Sequence, residues 1–531
     1  MRILSVTLIL MYLTLILTGC IQRTISPSSD IDVKIQRLME GYHVPGVSIT
    51  VINNYEIDWA KGYGICEDGD SEPITTNTLF QAASIGKSLT AVASLHLVEQ
   101  GLLDLDENVN DGLVSWNIPE NEFTKQEKVT LRRLLSHSAG VTTSGFQGYS
   151  QDDELPTLQQ ILNGDPPANT PPILVDLIPG TQRRYSGGGY MIVQQLLEDV
   201  VDKPFPEIMK ENIFKPIGMT SSLYAAPLPV ALRNKVATAH SAEGQPAPGK
   251  WYELPEFGAG GGLWTTSSDL ARFTIEMMLS SNGVSNKILS QKSVSEMLTP
   301  QDVDRLQGLG FNVLWDRAIT HTGHNPPGFA GILVALPEEG WGAIVLTNGD
   351  NGRWLRHEIV LPLTQEYGLF PQVGLLVTGG ISLIFLLVTL FLWPVHYLLQ
   401  HWRNRKSKSD ESPSKKLRAA KAARSIAILE TVLIFLVIGL YIVYFSALQG
   451  PMTWSEGTLL VKILYALAFI STLLAVVLVV FTVLMWKNRF WSIAWHMHYT
   501  LFTIAVLIGI YIVFEFGHTA VVLWVISLGV G

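Results

Sequence analysis

The spacing of apolar and polar positions changes twice along this chain. From Val44 to Tyr63, two short β-rich runs flank Asn53-Asn54, a hairpin signal. A second pair lies far away, Gly331 to Leu336 and Gly342 to Leu346, turned by Pro337-Glu338-Glu339-Gly340. Between the pairs the period is helical, most clearly over Ser84 to Gln100 and Tyr190 to Val201. Strands at both ends with helices between predict an α+β fold. Its antiparallel β-sheet is flanked by helices, and the intervening segments form a second, mainly helical lobe.

Beyond residue 370 the sequence becomes mostly apolar. Val373–Val395, Ile426–Leu448, Thr458–Trp486 and Ile493–Phe514 each exceed the ~20 residues that cross a hydrocarbon core of about 30 Å. A bundle of about four transmembrane helices is therefore expected. The loop after the first segment carries Arg403, Arg405, Lys406, Lys408, Lys415, Lys416, Arg418, Lys421 and Arg424. The turn after the third carries Lys487 and Arg489, whereas the turn after the second, Gln449 to Gly457, has no Lys or Arg. The positive-inside rule places both basic loops in the cytoplasm and residues 21–370 outside. The N-terminus agrees. Arg2 precedes an apolar run from Ile3 to Leu17, which reads as a secretory signal. Its end, Leu17-Thr18-Gly19-Cys20, resembles a bacterial lipobox, in which the Cys thiol is lipidated. An ordinary signal or an uncleaved anchor is the other reading.

The expected organisation is a signal peptide with lipobox (1–20), a Ser/Pro-rich tether (21–34), an α+β domain (35–368) and a transmembrane helical domain (369–531). The protein is expected in the cell membrane, multi-pass, with the α+β domain extracytoplasmic.

Composition narrows the function. The chain has 531 residues and a net charge of −9, so it offers no basic footprint for nucleic acid. Two cysteines, Cys20 and Cys66, exclude a disulfide scaffold and a Cys-rich zinc site. Cys66 reads as a free structural thiol. His357-Glu358 lacks the second His of a zinc-protease helix, and no metal or cofactor is expected.

The chemistry starts at Ser84-Ile85-Gly86-Lys87, which opens a helical run. A Ser and a Lys three apart share one helix face, so the Lys nitrogen reaches the hydroxyl and assists loss of its proton. The surrounding Phe80-Gln-Ala-Ala-Ser84-Ile-Gly-Lys87 continues into Leu97-Val-Glu-Gln-Gly-Leu-Leu-Asp-Leu-Asp106. Further along stand Leu134-Leu-Ser-His-Ser-Ala-Gly140, Tyr185-Ser186-Gly187, the Gly-rich Gly258 to Leu270, and His321-Thr322-Gly323 before Pro327-Gly328-Phe329. In this order the five motifs resemble the serine β-lactamase/penicillin-binding-protein-like family, with its class C β-lactamases, DD-peptidases and esterases. The resemblance covers residues 35–365 and leaves out the apolar C-terminal segments.

The resemblance implies roles. Ser84 would be the nucleophile of an acyl-enzyme. Lys87 would keep Tyr185 partly deprotonated, and Tyr185 would act as general base and then proton donor. Backbone N–H groups of Ser84 and His324 would form the oxyanion hole. His321 and Thr322, with Gly323, would line the substrate strand and contact a substrate carboxylate. His137 is expected to organise a turn, Asp269 to cap the helix after it, and glycines 258, 260, 261 and 262 to permit tight backbone geometry.

Two departures bear on substrate. Gly187 stands where the family has Asn, which removes an amide that contacts substrate. His321 replaces the Lys of β-lactamases. An unperturbed His with a pKa of about 6.5 would make anionic-substrate binding pH-sensitive, tighter on the acid side. Both move the reading from β-lactamase towards a peptidase or esterase. The leading expectation is a membrane-anchored serine hydrolase acting on an amide or ester, including D-amino-acid peptides and cell-wall-related substrates. Alternatives are a true β-lactamase and a penicillin-binding sensor acylated without turnover. The expected partners are a small-molecule or peptide substrate and membrane lipid.

Overall fold

β-branched residues fill β1 (Gly46–Asn53), and all but its last residue are buried. Asn54 and Tyr55 follow with φ of 51° and 63°, the left-handed pair a two-residue hairpin turn requires. β2 (Glu56–Gly64) returns antiparallel. The Tyr55 hydroxyl donates to the Pro337 carbonyl at 2.9 Å, tying this turn to the turn of the second hairpin.

The computed structural model describes residues 28–367, apart from 68, 70, 71, 256, 257, 302, 305 and 315–317. It also describes helical positions 479, 480, 482, 483, 486, 500 and 503. Of the two compact units of the chain, one holds residues 28–367 and the other the described positions 479–503.

β3 (Phe80–Gln81), β4 (Leu223–Tyr224) and β5 (Leu263–Thr265) make a small sheet in the order β3-β5-β4. The larger sheet adds β6 (Asn312–Leu314), β7 (Ala318–Asn325), β8 (Phe329–Leu336) and β9 (Trp341–Thr347), in the order β2-β1-β9-β8-β7-β6. Every pairing in it is antiparallel. Both hairpins read from the sequence are present, and β1 joins them through β9, with Val47 opposite Thr347.

The helices that matter are α1 (Ser28–Tyr42), α2 (Gly86–Glu99), α3 (Leu131–Leu135), α4 (Gly187–Val201), α5 (Gly258–Gly261), α6 (Ser267–Ser281) and α7 (Gly352–Glu366). α6 packs on β1, β8 and β9, while α7 packs on β8 and β9 and against α1. β8 and β9 are buried throughout, so their apolar runs are continuous rather than alternating. The α+β architecture, an antiparallel sheet with helices packed on it, agrees with the sequence expectation.

Three local differences appear. α1 begins at Ser28, inside the stretch 21–34 read as a tether. α4 starts at Gly187, three residues before the helical pattern becomes apolar. Asp269 does not cap α6. Thr266 is the N-cap, its side chain accepting from the Asp269 N–H at 3.1 Å. The Asp269 carboxylate instead accepts from the Ser221 N–H and the Ser222 hydroxyl at 2.8 and 2.9 Å. A threonine hydroxyl reaches its own helix, while the longer, charged carboxylate ties in a neighbouring loop.

The signal segment, Cys20, the basic loop 401–424 and almost all of the four apolar segments lie outside the described residues. Among the described residues no helix is long and apolar enough to cross a membrane. Between the third and fourth apolar segments, the Thr482 and Thr503 hydroxyls lie 2.9 Å apart, and Trp486 Nε1 donates to Thr500 Oγ1 at 2.9 Å.

Candidate active site

Ser84 lies in a 3-10 turn, Ala83–Ile85, that runs directly into α2. Ala83 before it has φ of 51°, a left-handed conformation unusual for alanine. Lys87 sits three residues on and is wholly buried, with Nζ 3.1 Å from Ser84 Oγ. The same nitrogen donates to the Gly260 carbonyl at 2.8 Å. It also stands 4.9 Å from the centre of the Tyr185 ring and 5.4 Å from that of Tyr190.

Tyr185 arrives from a different part of the chain. Its hydroxyl donates to Ser84 Oγ at 2.7 Å. The turn that presents it is anchored by the next residue: Ser186 caps α4 through the Gly189 N–H at 2.9 Å, and its hydroxyl donates to the Thr142 carbonyl at 2.7 Å. His137 holds the other side. Its Nδ1 accepts from the Ser186 N–H at 3.2 Å, its carbonyl from the Arg184 N–H at 2.8 Å, and its ring lies 4.3 Å from that of Tyr185. His137 has φ of 59° and is buried, so it organises the turn behind the reacting atoms.

The glycine-rich turn serves close approach. Its glycines at 258, 260, 261 and 262 do not adopt positive φ. A Cβ on Gly258 would stand 2.6 Å from Gln194 Oε1, the atom that accepts the Ala259 N–H. The turn's carbonyls then point at the site: Gly260 accepts from Lys87, and Gly261 accepts from Asn325 Nδ2 at 3.2 Å.

β7 closes the remaining side. It packs on the turn that carries Ser84. A Cβ on Gly323 would collide with the Ala82 carbonyl oxygen and stand 3.0 Å from the Ser84 nitrogen. Glycine thus lets the strand lie against the nucleophile's backbone. Thr322 and His321 are buried beside it. The His324 side chain turns towards the start of α7, its Nε2 2.7 Å from Asp350 Oδ1, so only its backbone is available near Ser84.

Burial sets the charges. It pushes the Lys87 ammonium well below its ordinary pKa and raises the Tyr185 hydroxyl to about 12. Desolvation penalises each charged form, which runs against the expectation that Lys87 holds Tyr185 as a phenolate. His321 is also corrected. Burial above all, with the Arg183 and Arg356 charges adding to it, lowers it to about 3, so it does not titrate near neutrality. Its Nδ1 lies 2.8 Å from the Thr322 carbonyl.

Sequence reasoning did not single out Arg183, Asn325 or Arg356. Arg183 lies 3.3 Å from both Asp304 Oδ2 and Gln307 Oε1, and its charge reaches Tyr185 and His321. Asn325 bridges Gln81 and Gly261. Gly187 is buried at the first position of α4, where no side chain faces the site. Cys66 is buried and forms no disulfide. Among the described residues no group of His, Cys, Asp and Glu could hold a metal ion.

This arrangement can make a nucleophile. One hydroxyl meets a wholly buried lysine nitrogen and a half-buried tyrosine hydroxyl, beside a strand edge that can present an N–H.

Comparison with known proteins gives the family. A family model described as Beta-lactamase matches residues 31–359. Penicillin-binding protein 4 of Amycolatopsis lactamdurans is 27% identical over 342 residues, 60% of this chain and 84% of the relative. An unguisins hydrolase of Aspergillus campestris is 24% identical over 309 residues, 55% of this chain, which spans about half (51%) of that relative's length. The structure of an octameric penicillin-binding protein homologue from Pyrococcus abyssi superposes with a TM-score of 0.53 at 25% identity. The match covers 64% of this chain and 78% of the other.

Proposed function

The chain belongs to the beta-lactamase family of serine hydrolases related to penicillin-binding proteins, and on that premise we propose that it hydrolyses an amide or ester through an acyl-enzyme on Ser84. The observation that carries this is the pair of hydrogen-bond-length contacts at Ser84 Oγ, 3.1 Å to Lys87 Nζ and 2.7 Å to the Tyr185 hydroxyl.

The protonation states order the steps. Ser84 Oγ attacks the acyl carbon and its proton passes to the neutral Lys87 amine. The carbonyl oxygen gathers charge opposite the N–H groups of Ser84 and His324. The bond to the leaving group breaks as the Tyr185 hydroxyl protonates the departing amine or alcohol, and Lys87 returns its proton to Tyr185. Water then attacks the acyl-enzyme by the same route, releasing the acid and restoring Ser84.

The substrate reading rests on two residues. Gly187 contributes no amide, and His321 is neutral, so the site lacks two groups that the family uses to hold a β-lactam. A peptide or ester, including D-amino-acid peptides and cell-wall-related substrates, suits it better. The name of the Amycolatopsis relative keeps acylation by penicillin as the second reading. On the charge pattern of its loops, the domain works outside the cell, held by the C-terminal segments and by lipid on Cys20.

The test is a panel of p-nitrophenyl esters, D-alanyl peptides and β-lactams on the full-length protein, followed by intact mass. Repeated product release with a transient acyl adduct supports a hydrolase. A single stable adduct with no turnover supports a sensor. Ser84→Ala labelled by a fluorophosphonate as fast as wild type removes Ser84 as nucleophile.

A further inference from the structure

We propose that Arg356 is a positioning residue for the oxyanion-binding peptide: from the opposite face of the sheet its guanidinium fixes and polarises the Gly323–His324 peptide, whose N–H faces the reacting carbonyl. This rests on the reading of Ser84 as nucleophile and deepens it.

Arg356 lies in the early part of α7 and is only 4% exposed. Its Nη1 donates to the Gly323 carbonyl at 2.6 Å and to the Gly331 carbonyl at 2.8 Å. These two glycines face each other across β7 and β8. Its Nε donates to His357 Nε2 at 3.2 Å.

No carboxylate pairs with Arg356 among the described residues. The nearby acid, Asp350, is engaged by His324 at 2.7 Å and by Arg353 at 3.9 Å. Burial and Arg353 one turn earlier push the guanidinium down to about 9, still cationic at neutral pH. A cation taken from water without a counter-ion is expensive, and packing alone gives no reason to keep one there. Its location supplies one. The carbonyl it grips and the His324 N–H belong to the same peptide unit. A cation on the oxygen of an amide draws electron density from its nitrogen, so that N–H becomes a stronger donor. In a dry site the same charge stabilises an oxyanion that forms on the far side of the strand.

The peptide is held twice. Arg356 fixes its oxygen, and the 2.7 Å contact to Asp350 fixes the side chain of the residue that follows. β6 pairs with residues 318–320 of β7, so among the described residues the outer edge of 321–325 has no strand partner. The anchoring from α7 takes that part.

The test uses the full-length chain with Arg356→Met, Arg356→Gln and Arg356→Lys. Fluorophosphonate labelling and p-nitrophenyl ester turnover report acylation, and phenylboronic acid affinity reports tetrahedral oxyanion binding. The neutral variants should lose about 10- to 100-fold in acylation, less than a deleted oxyanion donor costs, with KM within about twofold. Boronate affinity should fall in parallel. Arg356→Lys, which keeps the charge but reaches one carbonyl, should lose about three- to tenfold. A purely structural role would instead lower thermal stability and raise KM with little effect on boronate affinity relative to ester binding. That outcome overturns the proposal, as do neutral variants that acylate within twofold of wild type. If both neutral variants fail to fold, a Lys variant indistinguishable from wild type in acylation overturns it. Ser84→Ala, run in parallel, separates the two levels: its labelling would sink the nucleophile reading and this proposal with it, whereas its silence leaves the Arg356 result to stand alone.

Discussion

Lys87 Nζ stands 3.1 Å from Ser84 Oγ and is wholly buried, and that burial favours the unprotonated form of the lysine. A lysine one helical turn from a serine at a protein surface would be an ammonium ion and a poor base. Desolvation shifts it towards the amine.

Lys87→Ala and Tyr185→Phe should each lower turnover by about 10²–10⁴-fold, the usual worth of a positioned acid–base group. They serve one proton path, so the double mutant should lose much less than the product of the two. Single-turnover acylation of the three variants measures this. A strictly multiplicative loss sinks the shared path.

Acylation should rise with pH through the lowered pKa of Lys87, since the base must be unprotonated, and then level off. Tyr185, raised to about 12, should give no basic limb at ordinary alkaline pH. A pH–rate profile with an alkaline fall near the ordinary tyrosine pKa of about 10 contradicts this assignment.

His321 should leave the binding of a carboxylate-bearing substrate flat from about pH 8 to about pH 5, the window in which an ordinary histidine gains its charge. Stability should not be flat. The folded pKa of about 3 lies below the unfolded value. The folded state therefore stays neutral while the unfolded chain takes up a proton, and stability is lost as pH falls from about 6.5 towards 3. By pH 5 this single group accounts for about 2 kcal/mol, so His321→Gln should show a smaller drop in Tm from pH 7 to pH 5 than wild type. Equal drops in the two proteins would exclude a depressed His321.

Gly323→Ala should fold yet acylate at least about 100-fold more slowly. Its Cβ meets the Ala82 carbonyl and lies 3.0 Å from the Ser84 nitrogen, so the strand must withdraw from the oxyanion position. Fluorophosphonate labelling checks this, with circular dichroism confirming the fold. Labelling at the wild-type rate would show that β7 does not help to form the site.

Added to intact cells, a protease should cut within residues 21–370 and spare 401–424. Cys20→Ser should lose its lipid and stay in the membrane fraction. Protection of the α+β domain in sealed cells contradicts the proposed orientation, and release of Cys20→Ser into the medium contradicts spanning by the C-terminal segments.

Some of this was legible in the residues because it is local. Ser84 and Lys87 are three apart on one helix, and the two hairpins are signalled by Asn53-Asn54 and the turn Pro337–Gly340, although the first turn falls one residue later, at Asn54-Tyr55. Short-range periodicity and turn chemistry need no knowledge of the rest of the chain. The motif order likewise brought Tyr185 and His321 to attention before any contact was known.

What only the tertiary structure decided is the electrostatic state of those residues and the groups behind them. Tyr185 lies 101 positions from Ser84, and Arg356 lies 33 from Gly323. Neither contact leaves a periodic trace. Lys87, Tyr185 and His321 are ordinary ionisable residues in the sequence, and their charged forms are disfavoured here because neighbours from α2, α4, α5 and β7 close over them. A pKa depends on how much water is removed and which charges stand near, quantities that exist only once distant segments have packed. Asp269 shows the same limit on a smaller scale. Its position fitted a cap, but Thr266 holds the helix end and the carboxylate binds the loop at Ser221, a partner no local pattern encodes.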